Sequence, residues 1–178
     1  MHRVWNAAAV VLVLSAASPV LAQATDREAI RALEHVIEIA QDGVDGFHEA
    51  AEHVKDKDAK EHLKRYGLER EEFISRLDGE IVRLGGHVDE EGTAGGAAHR
   101  TWINLRAALE HDDEDAILSE VQRGEEAALK AYDEALQKDL PPETHQLLFR
   151  QRDGVQRIVD WAKTQRAAMK AEQKDQGS

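Results

Sequence analysis

From Ile30 to Val54 the chain places apolar residues alternately three and four apart: Ile30, Leu33, Ile37, Ala40, Val44, Phe47, Ala51 and Val54. That spacing follows the helical repeat, so these residues form one stripe on a single long helix whose other side is polar. A helix about 43 Å long with one apolar stripe is not stable alone. It must bury the stripe against partners, and the rest of the chain supplies them.

The first helix is predicted over 26–54, opening at Thr25-Asp26-Arg27-Glu28, where the Thr oxygen and the Glu carboxylate can satisfy free amide N–H groups as a capping box. Lys55-Asp56-Lys57-Asp58 reads as a short turn with Asp58 capping a second helix over 58–84. That helix carries Leu63, Gly67, Arg70, Ile74, Leu77, Ile81 and Leu84 on the same beat. Gly85-Gly86 supplies residues able to take the left-handed conformation that ends a helix. Gly85 to Ala97 has no apolar periodicity and reads as a long connection. A short helix over 99–109 follows it, with Trp102, Leu105 and Leu109 on one face.

The run His111-Asp112-Asp113-Glu114-Asp115 suits the start of a helix, whose dipole favours negative charge there. This helix is predicted over 113–138, through Leu118, Val121, Glu125, Ala128, Tyr132 and Ala135. Asp139-Leu140-Pro141-Pro142-Glu143 turns the chain into a last helix over 142–170, with Leu148, Arg152, Val155, Val159, Ala162 and Met169 inward. Residues 171–178 read as a disordered tail. Short turns after the first and third long helices make antiparallel hairpins, and the long middle connection can cross the bundle. The fold class is therefore all-α: two hairpins joined by a crossover, the ferritin-like arrangement of a four-helix bundle.

Residues 1–22 read as a secretory signal peptide. Arg3 precedes a mostly apolar run from Val4 to Ala17, Ser18-Pro19 breaks it, and Val20-Leu21-Ala22 presents small residues for cleavage before Gln23. About 14 apolar residues fall short of the roughly 20 that span a bilayer. The expected location is periplasmic or secreted. The chain has no cysteine, so disulfides, thiolate metal sites and a cysteine-linked lipid are excluded. A net charge of −12 disfavours nucleic acid and anionic membrane as partners, which leaves a second copy or another protein.

Several stretches resemble a bacterial family of four-helix-bundle proteins of unknown function, grouped with the ferritin-like folds. They are Asp42-Gly43-Val44-Asp45-Gly46-Phe47-His48-Glu49-Ala50-Ala51-Glu52, Arg83-Leu84-Gly85-Gly86, His99-Arg100-Thr101-Trp102, Arg123-Gly124-Glu125-Glu126-Ala127-Ala128-Leu129-Lys130-Ala131-Tyr132 and Asp139-Leu140-Pro141-Pro142-Glu143. The resemblance covers about residues 28–143 and implies the fold, with no established activity.

Ferritin-like bundles suggest a di-iron or di-manganese centre, which takes a Glu from each of two helices and a Glu-x-x-His pair from each of the others. No Glu-x-x-His occurs in the chain, and the nearest match, Asp45-Gly46-Phe47-His48, falls on the wrong helix. Arg70, Glu125 and Arg152 instead share apolar stripes at similar heights, which predicts a buried Arg–Glu–Arg cluster, a structural polar core where metal would sit. A weaker candidate is a surface zinc or copper site from Glu49, His53 and His62 around the first turn. Ser75 and Ser119 lack a nucleophile elbow, and Gly92 to Gly96 has neither the Lys nor the strand of a phosphate loop. The expectation is a non-enzymatic exported bundle without cofactor, in stress protection or as an assembly partner. The alternatives are an iron- or zinc-dependent oxidoreductase with altered ligands and a periplasmic holdase.

Overall fold

A computed structural model of the protein describes residues 19–88 and 113–176. Within them the chain forms α1 (Pro19–His53), α2 (Lys57–Arg83), α3 (Glu114–Leu136) and α4 (Pro142–Gln176), with no strand. The short helix expected over 99–109 and most of the expected leader lie outside the described residues.

Helix ends follow local chemistry. Asp56, and not Asp58, caps α2, its carboxylate accepting from the Ala59 amide at 2.7 Å. Asp113 does the same for α3 through Ala116 N at 3.1 Å, with Glu114 and Asp115 in the first turn. Gly85 adopts φ +81°, and the Gly85 and Gly86 amides bond back to the Val82 and Ile81 carbonyls. That pairing is a Schellman stop, and the left-handed residue is the reason for glycine there. Pro142 opens α4, where its missing N–H costs nothing.

Two boundaries differ from the sequence expectation. α1 starts at Pro19, so in the full-length chain Thr25 lies inside the helix and caps nothing. The Val20 to Ala24 stretch contains good helix formers, and proline suits a first helical position. α4 continues to Gln176, through a segment expected to be disordered, with 171–175 exposed. Its Ala, Lys, Glu and Gln content sustains a helix without packing.

α1 pairs with α2 and α3 with α4; α1 also packs closely on α3, and α2 more distantly on α4. Direction is fixed by contacts at the ends. Glu114, at the start of α3, accepts from the Lys55 and Asp56 amides in the α1–α2 turn at 3.1 and 3.0 Å. At the opposite end Lys138 lies 3.8 Å from Glu28, and Arg83 reaches Thr144 at 3.4 Å. α1 and α3 are thus antiparallel, as are α2 and α4, and α3 starts at the opposite end of the bundle from the end of α2.

Of the opening stripe, Leu33, Ile37, Ala40, Phe47, Ala51 and Val54 are buried, whereas Ile30 and Val44 are half-buried. The apolar core falls into two clusters. One, near the α1–α2 turn, contains Phe47, Leu63, Tyr66, Ile117, Val121 and Ile158. The other, towards the opposite end, contains Leu33, Ile37, Leu77, Ile81, Tyr132, Leu148 and Val155. What separates them is polar.

Candidate functional site

Between the two clusters Arg70 of α2 points into the bundle and is 1 % exposed. It occupies an inward position because Leu63, Tyr66, Arg70 and Leu77 share one face of α2. Its Nη2 donates to Glu125 Oε2 of α3 at 2.5 Å, and that carboxylate is equally buried. The guanidinium lies 5.3 Å from the centre of the Phe73 ring. Its stem passes the bare backbone of Gly43 on α1, where a methyl group would stand 3.5 Å from Nε. Nε and Nη1 of Arg70 make no hydrogen bond, so the pair is only partly satisfied.

A second polar link runs beside it. Tyr132 of α3 donates its hydroxyl to Gln151 Oε1 of α4 at 2.9 Å, and Gln151 Nε2 donates to the Phe73 carbonyl of α2 at 3.1 Å. Three helices are tied through one side chain. Burial pushes the Tyr132 hydroxyl far above the ordinary phenol range, against the pull of the Arg70 charge, so it stays a neutral donor. Burial also raises the Glu125 carboxyl, and the nearby Arg70 cation opposes that shift.

Arg152 is not in this layer. Its side chain is 28 % exposed and pairs with Asp133 at 2.6 Å on the outer side of the α3–α4 hairpin. The expected Arg–Glu–Arg cluster is an Arg–Glu pair, and Gln151 takes the inward position. The spacing allowed either outcome: residue 151 and residue 152 both lie three or four from Leu148 and from Val155. A neutral amide that can serve Tyr132 and a backbone carbonyl is the cheaper group to bury.

The surface candidates do not converge. His53 Nδ1 lies 2.9 Å from the Glu49 carbonyl oxygen of its own helix. His62 stacks on Trp161 with ring centres 5.4 Å apart and contacts Arg65 at 2.7 Å, a cation unsuited to a metal's company. Among the described residues no group of three or more His, Cys, Asp or Glu is placed to hold a metal ion.

The mid-bundle layer does not fit a di-metal centre. Where carboxylates and imidazoles should converge stand Gly43, Arg70, Glu125 and Gln151, one from each helix. The Glu125 carboxylate is engaged by a guanidinium, which would repel a dication at that spot.

A second buried cluster, not foreseen from spacing, fastens the far end. Glu80 accepts from Arg83 at 2.6 and 2.7 Å and from the buried hydroxyl of Thr144. These hydrogen bonds, Arg83 first, hold the Glu80 carboxyl below its ordinary range. Asp42 was also missed: it is 4 % exposed, although it stands opposite the core stripe of α1.

The profile of a domain of unknown function, DUF2383, matches residues 28–138, most of the chain. The chain belongs to this family. The DUF2383 match takes in α1 from Glu28, α2 and α3, and therefore both partners of the buried ion pair; Gln151 and Trp161 on α4 lie beyond it. No curated protein matches the chain.

Proposed function

We propose that this DUF2383 protein is exported, loses its leader after Ala22, and serves as a ferritin-like bundle without metal or catalysis of its own, acting by binding a protein partner or by assembling with further copies. The observation that carries the reading is the filled mid-bundle layer, where Arg70 is paired with the buried Glu125 carboxylate. The helix order supports the ferritin-like assignment: two hairpins, with α2 and α3 running in the same direction, is the order that a single long crossover produces. The export reading rests on the charged, apolar and small-residue succession of residues 3–22. Among the described residues no helix is long and apolar enough to cross a membrane.

Aerobic exposure of the purified chain to Fe(II), followed by metal analysis and oxidation kinetics, tests the central part. The expected result is sub-stoichiometric iron and oxidation at the buffer rate. Two irons per chain with accelerated oxidation would replace this reading with that of a metal-dependent oxidoreductase. Cell fractionation tests export; a full-length chain that stays in the cytoplasm overturns that part alone.

A further inference from the structure

We propose that a groove between the first turns of α1 and the end of α3 binds small oxyanions of the phosphate and carboxylate class. The groove encloses about 640 Å³, a small-molecule size. Its floor is made of short side chains, Ala32 from α1 with Ala131 and Ala135 from α3. Charge on the rim decides what it can hold. Glu28 is tied to Lys138 at 3.8 Å, and Glu134 to Lys130 at 3.6 Å. Arg27 and Arg31 line the same groove and make no ion pair or hydrogen bond among the described residues. Arg27, Arg31 and Lys138 against Glu28 and Glu134 give the lining one net positive charge, carried by the two arginines that have no partner among the described residues.

These arginines stand one helical turn apart, about 6 Å along the axis, and both open towards the groove. Guanidinium presents a planar fork that matches two oxygens of a carboxylate or phosphate. The rest of α1 sharpens the contrast. From Ala32 to His53 it has no Lys or Arg, while Glu34, Glu38, Asp42, Asp45, Glu49 and Glu52 succeed one another. On a chain of net charge −12, an anion is repelled by most of the surface, which makes this cationic groove its preferred place. Every lining residue follows Ala22, so cleavage there leaves the groove whole.

Titrations with inorganic phosphate and with succinate, at ionic strength held constant with sodium chloride and followed by calorimetry or amide chemical shifts, test the site. Saturable binding in the millimolar range is expected for at least one of them, with phosphate alone marking a phosphate-ester site and succinate alone a carboxylate site. Arg27→Ala with Arg31→Ala should weaken it at least tenfold. Arg27→Lys with Arg31→Lys keeps the charge but removes the fork, and should weaken it less. Arg150→Ala, an exposed arginine of α4 outside the groove, should leave binding unchanged. Absence of saturable binding by both anions overturns the proposal, as does equal affinity in the Arg27/Arg31 double-alanine variant or an equal loss in Arg150→Ala.

Discussion

The two seams between the hairpins are built in opposite ways. α1 and α3 approach closely, and small residues are buried on both, Ala40 and Ala50 on α1 and Gly124, Ala128 and Ala131 on α3. Along α2 and α4 the filling is large: Tyr66, Phe73 and Trp161, with Gln151 beneath them, and the backbones stay further apart. Small side chains let helices close up, and large ones hold them open. The wider side is what gives an arginine room inside the bundle. Spacing between helices, and not only the inward residue itself, decides what the centre can contain.

The largest expected effect tests whether that room is truly dry. Arg70→Leu or Glu125→Leu alone leaves one buried charge unpaired and should cost about 3–5 kcal/mol in denaturant unfolding. The double variant should recover most of the loss, because replacing both members of a buried pair by apolar groups is often close to neutral. A single-variant loss under about 1 kcal/mol would mean that water reaches the pair.

Next comes the same small change on two helices. Gly154→Ala on α4 would place a methyl group 2.7 Å from Phe73 Cζ, and should cost about 1–3 kcal/mol by overpacking. Phe73→Leu in the same chain should relieve part of it. Gly43→Ala on α1 meets Arg70 only at contact distance, 3.5 Å, and should be neutral or gain up to about 1 kcal/mol from helix propensity. Equal costs would mean that Phe73 yields to a methyl group as readily as the Arg70 stem does.

A pH series separates the two buried carboxylates by sign. Glu80 has a lowered folded pKa, so its stabilisation is present above the ordinary value of 4.5 and is lost as pH falls through the lowered value. Glu125 has a raised one, so its contribution is fullest below 4.5 and declines as pH rises through the elevated value. Unfolding free energy measured against pH should therefore lose part of its acid limb in Glu80→Gln, and part of its decline on the alkaline side of 4.5 in Glu125→Gln. The smallest effect is expected at Gly79, exposed within α2 with nothing within 4 Å of an added Cβ. Gly79→Ala should raise stability by no more than about 1 kcal/mol.

Much of the fold was legible because helical periodicity and end signals are local. The α1 stripe, the Gly85-Gly86 stop and the Pro142 start each depend on neighbours within a turn or two. Half of the central site was legible in the same way, since Arg70 and Glu125 interrupt otherwise apolar stripes. The other half was not. Arg152 and Gln151 satisfy one spacing rule equally well, and only the positions of Tyr132, Asp133 and the Phe73 carbonyl choose between them. Glu80 and Thr144 are 64 residues apart and carry no shared pattern.

By itself the sequence determined an all-α chain, the apolar stripes its helices must bury and its acidic surface, since these follow from residue spacing and composition. Only the tertiary structure decided that α1 closes on α3 while α2 stands off from α4, that Gln151 displaces Arg152 from the centre, and that Arg27 and Arg31 make no ion pair among the described residues. Each of those outcomes depends on distances between residues remote in the chain, and a helical repeat holds no information about such distances.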